Sequence, residues 1–242
     1  MTTSLAATLA AVETTVDYIR ASTDAPLDDG WISCATLLDD PARLGLLMAE
    51  TGTGRDSRDR QVSASLFVQG YAFRIPSVAL AAYALGRDRP SVAATTTAFR
   101  IARHRPAAVA YLDPEARSTG ADELAAEVAE HMGALIDATR AEVQVGERLL
   151  WGNVAASFAV AFRAVEGAVA AGDRASVQRR AADFFAAADP WLGGLGRFVT
   201  VERETGDQWL WERSNCCLWY RTADDRMCDD CSLLRQDTRT AP

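Results

Sequence analysis

Leu5, Leu9, Val12, Val16 and Ile19 recur at intervals of three or four residues. That spacing lays an apolar stripe along one face and predicts an amphipathic helix near the start of the chain. A second helix is predicted within residues 39–52, where Asp40 supplies a side-chain cap, Pro41 fits the first turn and Gly52 ends the run. The polar stretch 53–61 reads as a loop or an exposed first turn. Residues 62–86 read as helix, interrupted before Pro76 because proline lacks a donor and crowds the preceding turn, and stopped at Gly86. The period then changes. The threonines of 91–103 with Phe99 and Ile101, followed by Val109 and Tyr111 within 106–113, favour extended backbone and predict two strands.

From Asp122 to Ala188 the helical period returns. Three helices are expected, near Asp122–Glu142, Glu147–Ala170 and Arg174–Ala187, with breaks at Gly146 and at residues 170–173. Asp189–Gly196 is rich in glycine and carries a proline, and the character changes after it. Phe198, Thr200 and Glu202 alternate with Val199, Val201 and Arg203, turn residues follow at 204–208, and Trp209–Arg213 returns. This is a predicted hairpin. The chain is expected to divide into a mainly helical body, residues 1–196, and a hairpin with a cysteine-rich tail, residues 197–242. The fold class is α+β, predominantly α-helical, with a small β portion and a C-terminal cysteine-rich segment.

Composition adds bounds. The 242 residues, 49% hydrophobic and 24% charged, suffice for one sizeable core. A net charge of −8 argues against broad binding to nucleic acid. Every one of the Lys/Arg-type charges is an arginine, which composition bias explains without a function. No window reaches the roughly 18 uncharged apolar residues that a membrane span requires. The N-terminal stretch lacks a basic start and is interrupted by Glu13 and Asp17, so it is a poor signal peptide. A cytoplasmic protein without a transmembrane segment is expected, and its thiols stay reduced.

Four of the five cysteines lie between Asn215 and Cys231. Cys216 and Cys217 are adjacent, ten residues separate Cys217 from Cys228, and two separate Cys228 from Cys231. Four thiolates hold either zinc or an iron–sulfur cluster. Cys228 and Cys231 form one chelating knuckle. Cys216 and Cys217 do not form another, because neighbours in extended backbone point to opposite faces. A two-iron core spreads its terminal positions over a larger volume. The spacing therefore leans toward a [2Fe–2S] cluster and leaves structural zinc open. A disulfide between Cys216 and Cys217 would be strained and ill suited to a reducing compartment.

The C-C-x10-C-x2-C motif, with Leu218, Tyr220 and Arg221 after the pair, resembles the signature of the ferric-siderophore reductase (FhuF-type) family. More weakly, Leu149–Phe158 resembles that family's central helix. The resemblance implies a [2Fe–2S] protein that passes one electron to Fe(III) held by a siderophore, typically a hydroxamate. It implies Cys216, Cys217, Cys228 and Cys231 as cluster ligands. The chemistry is coherent, since Fe(II) is softer than Fe(III) and binds hard oxygen ligands less tightly. The acidic net charge favours a cationic or neutral hydroxamate over an anionic catecholate. No nucleotide or flavin motif accompanies a strand, so electrons are expected from a partner such as a ferredoxin or an NAD(P)H-dependent reductase. The rival readings are a non-enzymatic cluster-based redox or iron sensor and a structural zinc-binding protein.

Around the cysteines, Arg213, Arg221 and Arg226 are candidates for raising the cluster potential, opposed by Asp224, Asp225, Asp229 and Asp230. A charge-balanced, solvated loop is the plainer reading. Trp219 and Tyr220 are candidates for walling the cluster, although at least three of Trp209, Trp211, Trp219 and Tyr220 are expected to pack the hairpin. Trp151, Asn153 and Arg74 are candidate substrate contacts, with Arg163 farther along the same helix as Trp151. Helix packing accounts for Trp151 equally well. Two basic islands, Gly54–Arg60 and Arg100–Arg105, read as exposed charge, with docking of an acidic electron donor as the functional alternative. Cys34 reads as a small buried hydrophobe, and His104 and His131 as surface or structural side chains.

Overall fold

The computed structural model describes residues 4–25, 30–118, 120–203, 206–224, 227–228 and 230–233. Its helices are α1 (Leu5–Thr15), α2 (Cys34–Leu38), α3 (Pro41–Thr53), α4 (Arg60–Ala72), α5 (Ser77–Ala84), α6 (Ala121–Glu142), α7 (Glu147–Ala168), α8 (Ala171–Ala187) and the single turn α9 (Asp189–Leu192). Strands β1 (Ala21–Ser22), β2 (Trp31–Ser33), β3 (Thr97–Ala102) and β4 (Arg105–Tyr111) form one sheet in the order β1-β4-β3-β2. In it β1 runs parallel to β4 and the other neighbours are antiparallel. Strands β5 (Gly196–Val201) and β6 (Gln208–Arg213) form a separate hairpin. The architecture is α+β and mostly helical.

Local chemistry accounts for most boundaries. Asp40 accepts the amide of Arg43 and Pro41 occupies the first turn, so α3 starts where the pattern predicts. Asp59 accepts the amides of Gln61 and Val62 and starts α4. Helix α4 stops at Ala72 and α5 begins after Pro76, which places the break where the proline requires it. Three expectations shift. Helix α1 ends at Thr15, although Val16 and Ile19 remain buried beyond it. Helix α3 continues one residue past Gly52. Helix α8 starts at Ala171, so Gly172 and Asp173 are its first turn rather than a break.

Helices α4, α5 and α7 bury side chains around most of their circumference, including Val62–Val68 on α4 and Val78–Ala82 on α5. Helices buried on all sides belong at the centre of a fold. The four-stranded sheet covers one side, with Phe99 and Val109 facing inward. The small hairpin covers another. Phe198 stacks on Trp209 at 3.9 Å, Trp211 meets Phe185 at 4.9 Å, and the Arg163 Nε donates to the Trp209 carbonyl at 2.9 Å.

Two buried polar groups are held in full. Arg89, 2% exposed, meets Glu127 at 2.6 Å, and Glu127 also accepts the Val92 amide at 3.0 Å. His131 is buried between Tyr71 and Val92. Its Nδ1 lies 2.5 Å from the Val92 carbonyl, which accepts only, so Nδ1 carries the proton and Nε2 accepts the Tyr71 hydroxyl at 2.7 Å. Tyr71 also meets Cys34, whose thiol burial pushes up to about 12. Cys34 is thus a protonated core side chain.

Burial pushes the His131 pKa down, against the pull of the Val92 carbonyl and Glu127. The folded chain holds it neutral, while the unfolded chain protonates it near the ordinary value of about 6.5. Stability is therefore complete above that value and falls as pH drops below it toward the depressed folded value. In urea titrations we expect a loss of roughly 1.4 kcal/mol per pH unit within that window. His131→Gln is expected to remove this slope, and an unchanged slope would show that another group causes it.

Candidate functional site

Strand β6 ends at Arg213, whose side chain is 0% exposed and turns inward onto α7. Its Nη2 donates to Asn153 Oδ1 at 2.7 Å and reaches the Gly152 carbonyl at 3.5 Å. Asn153 Nδ2 donates to Ser65, at 2.8 Å to Oγ and 3.0 Å to the carbonyl. Ser65 Oγ donates to the Cys217 carbonyl at 2.7 Å. One hydrogen-bonded path thus joins β6, α7, α4 and the adjacent-cysteine segment. Gly152 completes the seat. A Cβ there would lie 2.0 Å from the Asn215 side chain, whose Nδ2 donates to the Arg148 and Leu149 carbonyls. Asn215 immediately precedes Cys216.

The thiols gather just beyond this frame. Cys217 Sγ and Cys228 Sγ are 3.6 Å apart, and Arg213 Nη1 is 4.0 Å from Cys228 Sγ. Leu218 donates its amide to Cys216 Sγ at 3.3 Å. It does so at φ +66°, a strained position for a leucine. Cys231 closes a tight turn with its amide on the Cys228 carbonyl at 3.0 Å. The hydrogen bond from Cys228 lowers the Cys217 pKa, against its burial and with help from Arg213 and the Trp219 amide. Burial raises that of Cys216, and the charges of Cys217 and Cys231 add to the rise. Cys216 therefore interacts electrostatically with Cys217 and Cys231, and Cys217 with Cys228. Thiolate is the form that binds metal.

This donor set fits an anionic metal centre. Arg213 brings a full positive charge to the thiols, and its Nε is a buried donor without a hydrogen-bond partner among the described residues. Among the described residues, no three His, Cys, Asp or Glu side chains converge on a point suited to a single ion.

A pocket of about 360 Å³ opens beside the cysteine segment. Leu66 and Gln69 of α4, Phe73 at its C-terminal cap, and Ala156, Ser157 and Val160 of α7 form its floor. Arg55, Arg74 and the β3–β4 turn supply positive walls, and Trp219 and Asp230 close the side toward the cysteines. Gly54 allows the turn to approach, since a Cβ there would lie 2.7 Å from the His104 Cβ. The local charge is thus opposite to the net charge from which a cationic or neutral substrate was expected.

Other sequence candidates fall in varied places. Arg74 lines the pocket. Trp151 instead packs on Trp191 at 4.8 Å, and Asn153 is fully buried and positions Arg213. Neither lines the pocket. Arg221 pairs with Asp59 on the far side of the segment. Arg226, like Asp225 and Asp229, lies outside the described residues. Trp209 and Trp211 pack the hairpin, Trp219 lies under the Arg55 guanidinium at 4.2 Å, and Tyr220 is 41% exposed. Two aromatics, not three, thus stay within the hairpin. The residues that sequence reasoning missed are Ser65 and Gly152. Their only signal was a serine in an apolar helix and a glycine inside a strong helical pattern.

Asn153→Ala leaves both Arg213 and Ser65 short of a buried partner. A stability loss of roughly 3 kcal/mol is expected, read by thermal or urea denaturation. Gly152→Ala acts locally, by pushing Asn215 off α7. It is expected to leave the helical circular dichroism intact while metal content per purified chain drops severalfold. Full metal content in Gly152→Ala would show that Asn215 does not seat the cysteines.

Residues 213–233 match the family model described as the FhuF 2Fe-2S C-terminal domain. No curated protein matches the chain. The matched stretch runs from the buried Arg213 through all four clustered cysteines. The cofactor is therefore a [2Fe–2S] cluster, and the C-terminal segment of this chain is similar to the FhuF 2Fe-2S C-terminal domain.

Proposed function

We infer that the chain is a ferric-siderophore reductase, with Cys216, Cys217, Cys228 and Cys231 as ligands of its [2Fe–2S] cluster. The observation that carries this reading is the position of the pocket. Its wall is the cysteine segment itself, since Trp219 lies two residues from Cys217, and Asp230 adjoins Cys231. A zinc staple or a sensor needs thiols but no open cavity against them. At about 360 Å³ the cavity lies within the range of small-molecule sites.

When bound, the [2Fe–2S] cluster supplies one electron at a time. The chain's own residues do the rest. Trp219 separates the pocket from Cys217 by one side chain and keeps solvent from the path. Arg213 holds positive charge against the thiols, which favours the reduced, more negative state and raises the potential. Asp230, 3.8 Å from Arg213, moderates that effect. Arg221 is neutralised by Asp59 and adds little.

In this reading residues 1–196 hold the siderophore and residues 197–242 carry the cluster. Fe(III) in the pocket gains one electron, becomes Fe(II), and is released from its oxygen ligands into the cytoplasm. A ferredoxin or an NAD(P)H-dependent reductase then restores the electron. A hydroxamate chelate is one such substrate, and the reaction asks only that Fe(III) be held in oxygen ligands beside Trp219.

Single turnover tests the reading. Anaerobically reduced protein, freed of reductant, is mixed with a ferric siderophore and a chromogenic ferrous trap. About one Fe(II) per reduced chain is expected, with return of the oxidised absorption. Cys217→Ser is expected to abolish colour and turnover, and Cys34→Ser to retain both. Persistent reduced protein beside unreacted siderophores of every charge class would point to a sensor instead.

A further inference from the structure

The two basic islands of the sequence do not lie on separate surfaces. Arg55 from the first, and Arg103 and Arg105 from the second, meet Arg74 around the pocket. One carboxylate, Asp230, shares the lining, and it lies 3.8 Å from Arg213. Among the described residues, no carboxylate comes within 4 Å of any of the four pocket arginines.

Aromatic faces hold two of these guanidiniums in place. Arg55 lies 4.2 Å over Trp219 and Arg74 lies 4.4 Å over Phe73. Loss of water, and then the like charge of Arg105, lower the pKa of both, that of Arg74 to about 10, while the charge of Asp224 opposes the shift at Arg55. They remain charged at neutral pH. Gathering like charges in a half-dehydrated cavity is unfavourable unless an anion enters it.

The turn that presents Arg103 carries a second cost. Arg103 and His104 are the two turn residues between β3 and β4, at φ +51° and +62°. Such two-residue turns favour asparagine and glycine there. Backbone strain of this kind concentrates at functional sites. Arginine at this turn adds a fourth guanidinium to the cavity lining, where the favoured residues would add no charge.

We propose that this pocket selects ferric chelates of net negative charge, whose carboxylate or catecholate oxygens are gripped by Arg55, Arg74, Arg103 and Arg105. The proposal rests on the reductase reading for the identity of the iron complex. Guanidinium suits it, because its planar fork meets paired oxygens with two parallel hydrogen bonds. The chain's net charge of −8 lies elsewhere and does not set the field inside the cavity.

Gallium(III) chelates test this without electron transfer, because Ga(III) matches Fe(III) in charge and takes no electron. The cluster-loaded protein is titrated calorimetrically with Ga(III) citrate, an anionic Ga(III) tris-catecholate and a neutral Ga(III) trihydroxamate. At least one anionic chelate is expected to bind roughly 10-fold or more tightly than the trihydroxamate. Which of the two binds distinguishes carboxylate from catecholate recognition. The preference is expected to shrink with salt. Arg74→Gln and Arg105→Gln are each expected to weaken the anionic chelate roughly 10-fold and leave the trihydroxamate unchanged. Arg103→Asn suits the turn, so it is expected to keep or raise the melting temperature while weakening the anionic chelate. Equal or tighter binding of the trihydroxamate, or unaltered anion binding in all three variants, would overturn the proposal. Anionic gallium binding without reduction of the ferric counterpart would count against the reductase reading alone. Turnover of a trihydroxamate with no anion preference would count against the charge selection alone.

Discussion

A buried arginine without a bonded carboxylate needs compensation, and Arg213 is such a residue. Asn153 and the Gly152 carbonyl take its hydrogens, and Asp230 stands off at 3.8 Å. The remaining charge faces the thiols of Cys217 and Cys228. Burying a cation is tolerable when an anion is buried with it. A thiolate-ligated cluster is that anion. The same residue therefore docks the hairpin on α7, orders the segment that follows, and sets the field at the metal centre.

From that junction the fold extends in two directions. Asn153 and Ser65 tie the cysteine segment to α7 and α4. Those two helices also floor the pocket, through Ser157, Ala156, Leu66 and Gln69. The cysteine segment and the cavity therefore share one base, and Trp219 of that segment lines the cavity. The charge asymmetry follows the same division. The chain carries a net charge of −8, while four arginines line the pocket beside the cysteine segment.

Much of this was legible in the chain. Apolar periodicity marked α1, α3, α4 and α6–α8, Pro76 marked the break before α5, and alternation marked β3, β4 and the hairpin. The four cysteines announced themselves by spacing alone. Strands β1 and β2 did not, because two or three residues carry no period and their pairing partners lie far along the chain. Arg89 carried no signal in the sequence, because its partner Glu127 lies 38 residues away on α6. Asn153 was noticed but misplaced, since an asparagine on an apolar helix signals a buried bond without saying to what. The arginine pocket was invisible for the same reason. Its members come from three stretches, and only the tertiary fold brings them together.

The most direct measurement is iron and acid-labile sulfide per chain, combined with low-temperature electron paramagnetic resonance of the dithionite-reduced protein. The account predicts two irons and two sulfides per chain, with a signal that integrates to one unpaired electron. Removing the charge in Arg213→Gln should lower the potential at which that signal appears. One zinc per chain, no sulfide and no signal would contradict it.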